Sequence, residues 1–452
     1  MDEMKRLAEY ARDFSLNGVS EEVLAAARYC VLDSVGSALG ATRDGEIPSL
    51  VEEIERWASK SDGRNAAVWG QGRRSNVFSA LMLNGVMGHA LELDDVHTES
   101  KSHVGAVVVA TAWTLADALG ADGRRFLEAV VVGYEVMARV GMAMDVSSNR
   151  RRGWHTTGII GPFGAAAAAG VLLKLEKERM LSAFGIAGTQ SSGLWAFLAE
   201  GATCKKLHPA RAAVNGLSAA ILARGGMTGP AHILDAEDGG LYRAVSDSFD
   251  MSVLTDGLGE RYEILRMDKK PYPCCRTTHH AIDAALALRE RPGFAPERIR
   301  RVTVDTYDVG VLQCGFTNYP RSGVEAKFSI PFACAAAFVC GRVTQAQFSS
   351  DVLNDPLVRR IAESTEVKSD PLFTERYPKR WGSRMTVLFD DGAALVHQVD
   401  DMSGSAAVPL SSCREREKFL GSAETAFGAE RAFRLMDAIL SIDSQGSLPD
   451  LA

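Results

Sequence analysis

The chain lacks the marks of several large functional classes. No long basic run offsets its formal net charge of −7, which argues against a general binder of nucleic acid or of anionic membranes. Its eight cysteines, at 30, 204, 274, 275, 314, 334, 340 and 413, form no CxxC pair and have no histidine at zinc spacing. Neither a disulfide framework nor a structural zinc is therefore expected. The longest apolar runs, 104–115 and 161–173, fall short of the roughly 20 residues a membrane helix needs. The N-terminal MDEMKRLAEYARDF reads as an amphipathic helix of mixed charge rather than a secretory signal, and a cytoplasmic protein is expected. There is no GxSxG nucleophile elbow and no glycine-rich nucleotide loop after a strand, so neither a dinucleotide nor ATP is implied. Internal repeats and low-complexity linkers are absent as well.

What remains is an ordinary globular composition, 46% apolar and 24% charged, over 452 residues, enough for about two or three domains. The first 260 residues carry few strand signals. Apolar residues recur at helical spacing over 20–39, with Ser20 as N-cap, and over 48–58, 77–93, 105–119, 124–144 and 177–198. The alanine- and glycine-rich stretch from 153 would let a helix approach its neighbours closely, as the middle of a bundle requires. The preceding 147–153, with Arg150, Arg151 and Arg152, reads as a solvated loop. Pro209 near a helix start and Gly225-Gly226 at its end frame a further helix. From about 265 the pattern changes. Strands are expected at 300–307 and, as a hairpin about Asp390-Asp391-Gly392, at 385–389 and 393–399, with helices at 278–290, 327–340 and 356–364. After about 410 the pattern is helical again. The fold class expected is mainly α, a large all-helical domain (1–265 and 405–452) with a smaller α+β lid domain (266–404).

Chemistry concentrates where histidines meet carboxylates and lysines. The stretch 84–117 runs one apolar helix into His89, Glu92, Asp94, Asp95, His97, Glu99 and His103, then into another. Three more polar clusters follow: Trp154-His155-Thr156-Thr157, Lys205-Lys206-Leu207-His208 and KKPYPCCRTTHH at 269–280. Brought together at a domain boundary they would form a cationic pocket with several proton-transfer groups, suited to a substrate bearing two or three carboxylates. Asp94, Asp95, His97 and His103 could take a divalent ion. The lysines would repel it, and His89 with Glu92 reverses the E-x-x-H order of di-iron bundles, so no functional metal is expected. Cys274 and Cys275 have no placeable oxyanion hole and read as a buried structural pair.

On these clusters the sequence resembles the MmgE/PrpD family, which includes 2-methylcitrate dehydratase, cis-aconitate decarboxylase and iminodisuccinate epimerase. The similar stretches are HALELDDVHTESKSHVGAVV, GWHTTGIIGPFGAAAAAG, FGIAGTQSSGLWAFLAEGATCKKLHPARAA, KPYPCCRTTHHAIDA and EAKFSIPFACA. The resemblance implies a homodimer without cofactor, in which the N-terminal part and the C-terminal tail build the helical domain. It implies catalytic roles for His103, His155, Asp94, Lys205 and His208, and substrate binding by Glu92, Lys270, Cys275 and His279. HVGA stands where the family has HPGA, and Glu92 where aspartate is usual. The decarboxylase's histidine falls on Cys275 and its tyrosine on Phe332, which weakens that activity. The shared chemistry is proton transfer at carbon beside a carboxylate. The leading expectation is a cofactor-independent dehydratase of a hydroxy di- or tricarboxylate, with an epimerase of a similar acid as the alternative. A decarboxylase or a catalytically silent homologue stands behind these. In this scheme His103 or His155 carries the proton, while Asp94 orients a histidine.

Overall fold

The computed structural model describes residues 3–58 and 63–452. Met1 and Asp2, which begin the N-terminal amphipathic stretch, lie outside the described residues, and its helix is Glu3–Asp13. Mainly helical with small sheets, the chain divides into two compact units. One comprises residues 1–195, 204–269 and 411–452, the other 196–203 and 270–410. The sequence pattern had put the divisions at 265/266 and 404/405 and had left 196–203 in the larger part.

The larger unit is a bundle around the Thr156–Leu172 helix, every residue of which is buried. It packs against Gly123–Met142 on one side and Leu207–Arg224 on the other. Small residues make this possible: a Cβ on Gly216 would lie 2.4 Å from Ala165 Cβ and 2.5 Å from the Pro162 carbonyl oxygen. Pro162, inside this helix, cannot donate to the Gly158 carbonyl. Ser192 N–H takes its place at 3.3 Å. Glu21–Gly40 starts at Ser20, whose hydroxyl accepts from Val23 N–H. By length and composition this helix could cross a membrane, which the count of uninterrupted apolar runs overlooked. Here 67% of that window is buried within the protein, as in a core helix. The tail helix Ser412–Phe427 packs on it, Lys418 meeting Asp33 at 2.6 Å.

Three local expectations are corrected. The helix expected over 177–198 ends at Gly188. The next residues leave the helix to pair with the start of Thr156–Leu172: His155 N–H donates to Gly193 O at 3.0 Å and Trp195 N–H to Gly153 O at 2.9 Å. The arginine loop is a short helix, Val146–Arg151, capped by Asp145. Arg150 is buried rather than solvated, its guanidinium 4.2 Å from the centre of the Trp195 ring. Finally, Asn65–Val68 and Arg73–Asn76 form an antiparallel hairpin where no strand was expected.

The smaller unit holds a four-stranded sheet in the order 365–369, 299–306, 383–389, 394–399. The first pair is parallel, the others antiparallel. Burial alternates strictly along Ser383–Phe389, and the hairpin turns at Gly392, whose φ of +83° suits glycine. Helices His279–Arg289, Ile330–Cys340 and Pro356–Glu363 accompany the sheet. Thr365–Ser369 was not foreseen: it is a short edge strand carrying Glu366 and Lys368, polar where alternation would show.

Candidate active site

Six of the nine residues singled out in the sequence lie in the larger unit: Glu92, Asp94, His103 and Lys205 are joined through His89 in one network, and His155 pairs with His208 beside it. The Val77–Ala90 helix ends just past His89, and the chain then makes an irregular loop to the next helix at Gly105. Glu92 in that loop has φ +56°, a left-handed conformation costly for a side chain and frequent at functional sites. The loop is tied down by Val96–His97, which pairs antiparallel with Met267–Asp268.

Asp94, wholly buried, is the hub. His89 Nδ1 lies 2.9 Å and His103 Nδ1 3.1 Å from its Oδ2. His103 Nδ1 is also 3.2 Å from the Asp95 carbonyl oxygen. Two acceptors around one nitrogen require that nitrogen to carry the hydrogen, so neutral His103 has its lone pair on Nε2. The same reasoning applies to His89. Lys205 Nζ donates to His89 Nε2 at 2.7 Å, so the His89 hydrogen is on Nδ1, toward Asp94. Lys205 also meets Glu92 Oε1 at 2.5 Å. Both partners are buried, so deleting either would leave a charge stranded at about 3–5 kcal/mol.

His155 and His208 approach Nδ1 to Nδ1 at 2.9 Å. Burial, then the Lys205 ammonium, pushes the imidazolium of each down, well below its ordinary range for His155 and to about 4 for His208. Near neutral pH the pair is uncharged, one ring donating from Nδ1 and the other accepting. The ring centres of His89, His103 and His155 lie 4.3 to 6.3 Å apart, and Trp195 packs edge-on against His155 at 5.6 Å.

These three histidines also offer ring nitrogens within 4.8 Å of one another. A metal there would have to displace the Lys205 ammonium from His89 and compete with Asp94 for both Nδ1 atoms, so the donor set fits poorly. The ligands considered from sequence diverge: His97 faces Ser100 Oγ at 3.0 Å and Glu263 at 3.4 Å, while Asp95 turns to Tyr134 and Gly105.

Lys270, Cys275 and His279 belong to the smaller unit. Lys270 is completely buried. Gln313 Nε2 donates to Cys275 Sγ at 3.1 Å. His279 has Arg276 Nη1 at 3.0 Å from Nδ1 and the Cys274 carbonyl at 3.3 Å from Nε2, so both ring nitrogens are engaged. Burial and then Arg276 push its imidazolium well down. Cys274 is a buried thiol that desolvation pushes up to about 12, inert as a nucleophile. Phe332 is buried near the start of Ile330–Cys340, beside Phe348.

Sequence reasoning left His89 and Trp195 out of the site. His89 was named in the polar cluster and weighed as half of an H-x-x-E metal motif but given no role, and Trp195 lay in a stretch similar to the family without being singled out.

Two domain models of one family match this chain, described as the MmgE/PrpD N-terminal domain over residues 5–254 and the MmgE/PrpD C-terminal domain over 272–442. An Aspergillus oryzae cis-aconitate decarboxylase-like protein is 28% identical, over 98% of this chain and 95% of its own length. The cis-aconitate decarboxylase of Aspergillus terreus is 26% identical over 97% and 92%. The 2-methylcitrate dehydratase of Salmonella typhimurium is 21% identical over 97% and 93%.

Proposed function

The chain belongs to the MmgE/PrpD family, and from that premise we propose that it is a lyase dehydrating a hydroxy di- or tricarboxylic acid related to 2-methylcitrate. One observation carries the reading: Asp94 and the Asp95 carbonyl fix the His103 hydrogen on Nδ1, which leaves the basic lone pair on Nε2 in a site that also holds the Lys205 ammonium. In the proposed reaction His103 Nε2 takes a proton from the carbon beside a carboxylate, contributing about 10²–10⁴-fold. The electron pair passes into that carboxylate, and Lys205 stabilises the extra negative charge by roughly 3–4 kcal/mol. The pair then forms the carbon–carbon double bond and expels the neighbouring hydroxide, which takes a proton from Lys205 and leaves as water. The proton on His103 returns to Lys205 through solvent. Asp94 holds the imidazolium meanwhile, and the neutral His155–His208 pair hydrogen-bonds the substrate without adding charge. Lys270, Cys275 and Glu92 complete the proposed set, and His279 contributes by holding Arg276. We further propose a cytoplasmic homodimer that needs no cofactor or metal.

Decarboxylation is the second reading, favoured by the higher identity to the Aspergillus terreus cis-aconitate decarboxylase, 26% against 21% for the dehydratase. Phe332 has no proton to give where that chemistry is expected to need a hydroxyl. Nuclear magnetic resonance of candidate acids in deuterated water separates the outcomes. A new alkene with all carbons retained supports dehydration. Carbon dioxide from cis-aconitate supports the second reading, and inversion with deuterium uptake an epimerase. No change with any acid overturns the proposal, as does activity abolished by exhaustive chelation and restored by one divalent ion.

A further inference from the structure

Behind the histidine cluster lies a second buried polar group that the proposed reaction does not use. Asp95 is fully buried, and its carboxylate joins parts of the chain far apart in sequence. Oδ1 accepts from Gly105 N–H at 2.9 Å, Oδ2 accepts from Tyr134 OH at 2.7 Å, and Lys269 Nζ lies 3.8 Å away. Lys269, also buried, reaches Cys30 Sγ at 2.8 Å. The helix that starts at Gly105 has no side-chain cap of its own, since Val104 precedes it. The Asp95 carboxylate therefore serves as its cap from ten residues upstream, a negative charge at the positive end of the helix. Gly105 admits no side chain, because a Cβ would lie 1.9 Å from Ser34 Oγ and 2.9 Å from Asp95 Oδ1.

Asp94 adjoins the first of these anchored points, and His103 lies between them, two residues before the second. The carbonyl of Asp95 is itself one of the two acceptors that fix the His103 tautomer. We propose that Asp95, with Lys269 as its buried counter-ion, is a positioning residue that closes the 95–105 loop and thereby sets the ring of His103. This rests on His103 being the base of the proposed reaction. Burial pushes the Asp95 carboxyl up to about 6, Lys269 opposing the shift, so the pair is largely ionised at neutral pH.

The test compares Asp95→Asn, Lys269→Met and the double variant by thermal unfolding, by ring-nitrogen resonance of His103 and, once a substrate is known, by turnover. Each single change removes one charge of this buried pair, Lys269 keeping only the weaker attraction of Asp33 in Asp95→Asn, and should lower the melting temperature; the double change removes both and should recover much of it. His103 should not recover. In the wild type at neutral pH it should show one tautomer with the hydrogen on Nδ1, and in the double variant a mixture. The kcat of the double variant should fall about 10²-fold with KM little changed, as displacement of a catalytic group by about 1 Å can cause. Recovery of stability together with a wild-type His103 spectrum would overturn the proposal, whatever the substrate. Should the single variants fail to fold, Tyr134→Phe removes one donor to Asp95 and should shift the His103 resonances the same way by less. An unchanged spectrum there would contradict the proposal equally. Because the spectrum needs no substrate, its failure is distinguishable from failure of the dehydratase reading.

Discussion

Buried histidines occur in both units, and their partners differ in kind. In the larger unit His89 and His103 share the Asp94 carboxylate, and His155 and His208 face each other. In the smaller unit His279 is bonded to a guanidinium and a backbone carbonyl, while His280 faces Thr306 Oγ1 at 3.5 Å and the edge of Tyr307. Burial and then Arg276 push His280 down to about 3. A ring whose hydrogen bonds close on backbone and cations stays neutral and holds structure. A carboxylate on Nδ1 both selects the tautomer and stabilises the imidazolium that forms when Nε2 accepts a proton. Partners, more than residue type or burial, separate the two sets.

Mutations can break this comparison. The largest effects on turnover should come from the larger unit: Lys205→Met should lower it by about 10²–10³-fold, for loss of the charge opposite the developing anion. His103→Ala should lower it by about 10²-fold or more and leave the circular dichroism spectrum unchanged. In the smaller unit the sign of the argument reverses. His279→Ala removes an acceptor from the buried Arg276 and should cost about 1–3 kcal/mol in denaturant unfolding, with a smaller loss of turnover than His103→Ala. Equal losses of turnover would dissolve the distinction.

The smallest effect sharpens the comparison within the larger unit. His208 titrates near 4 when folded, for burial and then Lys205, against about 6.5 when unfolded. Between these values the unfolded chain binds more protons, so the stability owed to neutral His208 is complete above about pH 6.5 and declines as pH falls toward 4. In His208→Gln that slope should be absent. The difference in melting temperature between wild type and variant should therefore favour the wild type more at pH 6.5 than at pH 4.5, and a constant difference would contradict the assignment.

Much of this was legible in the residues. Long apolar stripes located the main helices of the larger unit, because burial on one face imposes a period that survives in sequence. The end of the helix after Gly188 was hidden, since it depends on the partners of residues 191–195 across the bundle. Arg150 resembled any surface arginine until Trp195 came beneath it. The strand at Thr365–Ser369 lacked alternation because it is a polar edge. Clustering near Glu92 and at 205–208 pointed to chemistry, yet the roles within it turn on which nitrogen faces which oxygen. His89, set at a helix end three residues before Glu92, became a link between Lys205 and Asp94 only when distances were known.

The central claim is that His103, with its hydrogen fixed on Nδ1, moves a proton on carbon beside a carboxylate. Its most direct test is the exchange of that carbon-bound hydrogen with deuterated solvent, measured by nuclear magnetic resonance on the acid that the panel identifies. Wild type and His103→Ala would be compared at equal concentrations of folded protein. Exchange should be fast in the wild type and slower by about 10²-fold or more in the variant. Exchange at the wild-type rate in a folded His103→Ala protein would contradict the account.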